Sequence, residues 1–142
     1  MLGVFSAMEI AASGLSAERT RMNTIASNLA NARTTRTPQG GPYKRLDPVF
    51  ESLPLDPTRP GEETGGVSLA HVRQIVQDKR QGNLVYEPGH PDANAGGYVE
   101  YPNVNVVEEM VNMITASRAY EAGVASIDAI KGMAHSAIAV GK

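Results

Sequence analysis

The chain has 142 residues, 42% hydrophobic but only 5% aromatic, with no tryptophan, no cysteine and a formal net charge of -2. That length and apolar content fit one ordinary domain whose core rests on Ala, Val, Ile, Leu and Met rather than on large aromatic side chains. The lack of cysteine excludes disulfides, thiolate metal sites and a cysteine nucleophile, and the near-neutral charge argues against a general nucleic-acid binder, whose affinity needs a basic surface meeting phosphates.

Residues 1–32 predict a long first helix. Met1, Phe5, Met8, Ala12, Leu15, Arg19, Met22, Ala26 and Leu29 step alternately by four and three, a heptad seam broken only at Arg19. Ser6 as N-cap with Glu9 at N3 supplies a capping-box start. No apolar run approaches the roughly 18 residues of a membrane span, and the N-terminus lacks the basic region of a secretory signal. The stretch "RMNTIASNLANARTT" is unusual because Asn23, Asn28 and Asn31 interrupt the apolar pattern. An asparagine amide competes for backbone hydrogen bonds, so amides inside a helix need partners of their own. Asn28 and Asn31 lie three residues apart on one face off the seam, and their expected partners are a neighbouring subunit or the segment that follows the helix.

Residues 33–104 hold all nine prolines and most of the glycines, which is turn chemistry. Within them, "VSLAHVRQIV" and "NLVYEP" show alternating, β-branched runs expected to pair as a small antiparallel sheet, with a weaker strand pattern in "VFESL". Residues 54–66 read as an extended or disordered loop. His90, Asp92 and His71 invite a metal reading, but a structural zinc site needs four correctly spaced ligands, and "GHPDAN" reads better as a turn in which Asp92 bonds its own backbone. Arg33, Arg36, Lys44 and Arg45 read as a solvated or subunit-facing surface rather than a nucleic-acid patch. No GxSxG elbow accompanies the Ser, His and Asp residues, so neither enzyme activity nor a cofactor or metal is expected.

Residues 105–142 predict a second long helix. Val106, Met110, Met113, Ser117, Tyr120, Val124 and Ile127 form one stripe, which drifts to Ile130, Ala134 and Ala137. Asn105 is placed to cap it with Glu108 at N3, and Pro102 keeps it from extending backwards. The expected fold is α+β: two terminal helices paired as a coiled-coil-like hairpin around an irregular β-rich middle. Phe5, Met8, Leu15, Met22 and Leu29 should then face Val106, Met110, Met113, Tyr120, Val124 and Ile127. Gly14 and Gly123 each cost about 1 kcal/mol against alanine in a helix interior, so close backbone approach is expected at both. The subunit-packing set comprises Phe5, Met8, Leu15, Met22, Asn28, Leu29 and Asn31 on the first helix with Met110, Met113, Tyr120, Val124 and Ile127 on the second.

The stretch "ASGLSAERTRMNTIASNLANARTTRTPQGGPYKR" resembles the N-terminal signature of the bacterial flagellar axial proteins of rod, hook and hook-filament junction, and "NVNVVEEMVNMITASRAYEAGVASIDAIKGM" resembles their C-terminal signature. The two cover nearly half the chain, and "TPQGGPYKR" with "YEPGHPDANAGGYVEYPNVNVVEEM" is similar to the proximal-rod members. The chain departs from the pattern at Gly123 and Arg33, where relatives usually carry asparagine. The resemblance implies a periplasmic rod subunit that passes torque from the motor's membrane ring toward the hook. It implies export through the flagellar type III apparatus, and a helical tube in which the paired helices surround a central channel. Its implied partners are other copies, rod proteins of the FlgB, FlgF and FlgG type, and ring or export-gate adaptors. The residues alone leave a second reading, a soluble helical adaptor that binds one partner through its heptads.

Overall fold

A computed structural model describes residues 3–55 and 67–141, in the order α1 (Val4–Ala30), β1 (Leu46–Pro54), β2 (Ser68–Gln77), β3 (Asn83–Tyr86), β4 (Tyr98–Tyr101) and α2 (Val106–Val140). The fold is α+β, with two long helices bracketing a small antiparallel strand region. The helices run antiparallel: Asn28 meets Glu109 near one end, while Leu15 meets Gly123 about two heptads away. α1 also lies against both β1 and β2.

The start of α2 follows the sequence rule. The Asn105 carboxamide accepts from the backbone N–H groups of Val107 and Glu108, satisfying two of the donors a helix leaves open at its N-terminus. The start of α1 does not. Its N-cap is Gly3, which has no side chain to accept with, and Ser6 lies inside the helix, so the expected Ser6–Glu9 capping box is corrected. The apolar repeat runs back through Val4 and Phe5, and the backbone follows it past Ser6.

The strand pairing also corrects the expectation. β2 pairs with β1, from Leu46 opposite Gln77 to Pro54 opposite Ser68, with a bulge between Val49 and Phe50. β3 pairs instead with β4, placing Tyr86 opposite Tyr98. A ten-residue β2 finds a nine-residue match in β1, whereas β3 offers only four residues. β4 closes onto β3 through a turn in which the Asn94 side-chain carbonyl accepts from the backbone of Gly96 and Tyr98. The loop expected over 54–66 lies, from residue 56 onward, outside the described residues.

The buried apolar residues among those described are Ala17, Ile25, Val99, Val104 and Ala116, joined by the polar Thr24, Asn28 and Glu109. None of these apolar side chains is Leu, Met or Phe. A core of that size gathers at one end of the helix pair, where the β region departs and returns.

Candidate functional site

At that end Asn28 is 1% exposed and uses all of its hydrogen-bonding capacity. Its Nδ2 donates to the Leu46 carbonyl at 2.9 Å and to Glu109 Oε2 at 3.0 Å, while its Oδ1 accepts from the Leu46 N–H at 2.9 Å and the Tyr43 hydroxyl at 3.0 Å. The amide thus pairs with the Leu46 peptide as a neighbouring strand would, holding the free edge of β1 where it begins. The Glu109 carboxylate, 0% exposed, is compensated by Arg45, whose Nε donates to Oε1 at 2.7 Å, and Arg45 also reaches Asp47 at 3.1 Å. Burial pushes the Arg45 guanidinium pKa down, but its hydrogen bonds to Glu109 and Asp47 outweigh that and hold it above its ordinary value. A buried charge is tolerated only when paired and hydrogen-bonded, as here. The joint therefore ties α1, α2 and the root of β1 into one unit.

The partners of Asn28 lie in the segment after the first helix and on α2. Asn31 turns to its own helix end, donating to the Ser27 carbonyl at 2.9 Å and accepting from the Thr34 hydroxyl at 3.2 Å. Glu109 and Tyr43 were not singled out by sequence. The available signal was an acidic residue in heptad register with Ala116 and Gly123, a row too short in side chain to look like a seam.

That row forms the real seam. Along α2 the residues turned inward are Glu109, Met113, Ala116, Tyr120, Gly123, Ile127, Ile130 and Ala134, again stepping by four and three. Met113, Tyr120 and Ile127 are half-buried as expected, but Val106, Met110 and Val124 are exposed, and Ser117 gives its place to Ala116. On α1, Met8, Leu15, Met22 and Leu29 are half-buried, whereas Phe5 is 87% exposed and Ala12, Arg19 and Ala26 face outward. Burial of Phe5, Val106, Met110 and Val124 inside the chain is therefore corrected. Leu15 takes the space over Gly123, where an added Cβ would lie 2.7 Å from Leu15 Cδ2, so the glycine admits a knob from the facing helix. Around Gly14 nothing among the described residues lies within 4 Å of such a Cβ, so the expected close approach is not made there.

With small and polar residues turned inward, α2 presents a second apolar stripe to the outside. Val107, Met110, Val111 and Ile114 occupy i, i+3, i+4 and i+7, and Val107 is 70% and Ile114 57% exposed. A helix apolar on both faces is made to be covered on both. No helix among the described residues is long and apolar enough to cross a membrane.

The basic loop is largely neutralised from within. Arg45 is in the joint, Lys44 meets Glu100 at 3.5 Å, and Arg36 lies 3.7 Å from Asp92. The turn expected there is present, with the Ala93 N–H donating to the His90 carbonyl at 3.0 Å, but the Asp92 carboxylate does not bond its own backbone: it accepts from the Thr35 hydroxyl at 2.8 Å, while the Asp92 N–H donates to His90 Nδ1 at 3.1 Å. His71 sits apart on β2, opposite Glu51.

A helix pair with a thin core, apolar on its outer face and locked at one end by a buried polar joint, defines an assembling structural subunit. A family model described as "Flagella basal body rod protein" matches residues 8–36, and one described as "Flagellar basal body rod FlgEFG protein C-terminal" matches residues 95–140. Similar curated proteins include the flagellar basal-body rod protein FlgC of Borreliella burgdorferi, 43% identical with 98% of each chain covered. The FlgC of Salmonella typhimurium is 41% identical over 99% of this chain and all of its own, and that of Bacillus subtilis is 40% identical over 97% and 98%. The chain belongs to the FlgC family of flagellar basal-body rod proteins.

Proposed function

We propose that this chain is a structural subunit of the flagellar proximal rod, packing with copies of itself and with rod proteins of the FlgB, FlgF and FlgG type into a helical tube that carries motor torque and surrounds the export channel. It acts in the periplasm, reaches it through the flagellar type III apparatus, meets ring or export-gate adaptors at the rod base, and catalyses no reaction. The residues offered to neighbours are those the chain leaves uncovered, Phe5, Met110 and Val124 from the sequence pattern together with Val107, Val111 and Ile114. Half-buried Met8, Leu15, Met22, Leu29, Met113, Tyr120 and Ile127 hold the helix pair in the shape those neighbours meet, with Asn28 and Asn31 fixing its joint end.

The observation that carries this reading is the outward stripe of α2. Contacts between identical subunits that do not close into a ring generate a helix, and they require more than one sticky face per subunit. The inward seam is filled by α1 of the same chain, so the outer stripe and the exposed Phe5 are what remain for neighbours, and the single-partner adaptor is not favoured because similar proteins matching over nearly the full chain are rod proteins. Val111→Asp or Ile114→Asp tests the reading. Each should leave the helicity of the purified chain unchanged while abolishing its incorporation into basal bodies. Incorporation at the unmodified level would refute it.

A further inference from the structure

The β1–β2 ribbon is two strands wide, so each strand has an outer edge with no strand beside it. Such an edge turns backbone N–H and C=O groups outward at alternate residues, a template on which another copy can add a strand. The ribbon also invites association, because Val49, Phe50, Leu53 and Ile75 are exposed on it.

On β1 the outward positions follow from Leu46. Its N–H and carbonyl both pair with the Asn28 amide, so they point away from β2. The register runs through β1 without a skipped residue, since the bulge places its extra residue, Arg73, on β2. Pro48, Phe50, Ser52 and Pro54 therefore turn their backbone groups the same way as Leu46. β2 agrees: Ala70 lies opposite Ser52, and its N–H points outward to Ser13 Oγ at 3.1 Å. Leu46 is thus occupied by a side chain, while Pro48 and Pro54 have no N–H and set a ring where it would point. Phe50 and Ser52 are left with an N–H to offer, too short a ladder to hold a strand.

A proline at Asp47, Val49, Glu51 or Leu53 would remove a bond to β2, and neither proline of β1 stands at such a position. Both fall where only an arriving strand would miss the N–H. The outer edge of β2 is closed by other means. At Ala70 it meets α1, and beyond Val72 the bulge at Arg73, whose side chain is 67% exposed, breaks the alternation of outward groups and bends the strand.

We propose that the outer edge of β1 is built to refuse a strand from a second copy, with Asn28, Pro48 and Pro54 as the blocking residues, so that copies associate through side chains and not through a shared sheet. This goes beyond the rod-subunit reading and is tested on the purified full chain, where its failure leaves that reading standing. Pro48→Thr and Pro54→Thr together restore two outward N–H groups without adding apolar surface. The double variant should keep its helicity and self-associate at a concentration about tenfold or more below that of the unaltered chain. The associated form should show the low-frequency amide I infrared band of intermolecular sheet, and adding Ser52→Pro should reverse the change. Val49→Thr, whose N–H already points into β2, should behave as the unaltered chain. If the double variant loses its helicity, Pro54→Thr at the strand end is read in its place. A folded variant that associates no more readily than the unaltered chain, association without the intermolecular band, or the same association from Val49→Thr would each overturn the blocking role.

Discussion

Asn28 is the residue on which the joint depends, because four hydrogen bonds converge on one amide that water does not reach. Asn28→Ala leaves the Leu46 N–H and carbonyl without partners and takes one donor from Glu109. Each buried group so orphaned costs about 1–3 kcal/mol, and chemical denaturation should show a loss of at least about 2 kcal/mol. Asn28→Asp should cost more, since both donors go and a second carboxylate is set beside the buried Glu109. Asn31→Ala removes bonds made only within the helix end, and its loss should stay near or below about 1 kcal/mol. The two interior glycines give an opposite pair. Gly14→Ala should stabilise the isolated chain by about 0.5–1 kcal/mol through helix propensity alone, because nothing lies where its methyl would go. Gly123→Ala should gain little or lose stability, since Leu15 must first move aside. Equal gains at both positions would mean that Leu15 does not seat on Gly123 in solution.

Among the elements, both helices and their ends near Asn105 were legible in the sequence, because a step of four and three over many turns has no other structural reading. The side of α2 that faces α1 was only half legible. Apolar residues lie on every side of this helix, so the stripe read from the periodicity and the inner row that the structure shows share only Met113, Tyr120 and Ile127. What selects the inner one is Glu109, through partners 64 and 81 residues earlier in the chain, and no local pattern reports such distant pairing. The β region was less legible still. Asp47, Pro48 and Glu51 interrupt the alternation of β1, and β4 sits at the end of a turn-rich stretch, so the correct pairing partners were each hidden from the one visible strand. The turn between β2 and β3 is closed by Arg80, which donates to Asp78 from its backbone N–H and its guanidinium, the Nε bond being 2.8 Å. The hydrogen bond from the Arg80 side chain lowers the Asp78 pKa from 3.8 to about 2. A carboxylate depressed in the folded state favours folding above its unfolded pKa, and that contribution fades as pH falls through the folded value. Titration followed by NMR should place the Asp78 midpoint near 2, and Arg80→Ala should return it toward 3.8. A midpoint near 3.8 in the unaltered chain would show the turn to be open.

At the scale of the whole molecule, the buried residues are unevenly placed. Thr24, Ile25, Asn28, Val99, Val104, Glu109 and Ala116 lie toward the joint, while α1 before Ala17 and α2 beyond Ala116 bury no residue. These helical segments are held by a half-buried seam rather than a full core, and they include interior glycines, so less than the joint's packing holds them. On the proposed reading the subunit is ordered at its joint and completed at its far end by neighbours that cover the outer stripe of α2 and the exposed Phe5 together. A chain of that kind should open first from its far end. Native-state hydrogen exchange, measured on the purified chain and on the same chain in isolated rods, addresses this most directly. In the purified chain, protection should be highest over residues 24–28 and 109–116 and fall away toward residues 4–12 and 128–140. In the rod it should be strong along both helices. Uniformly strong protection of residues 8–30 and 107–138 in the absence of any partner would contradict the account, because the helix pair would then be complete before assembly.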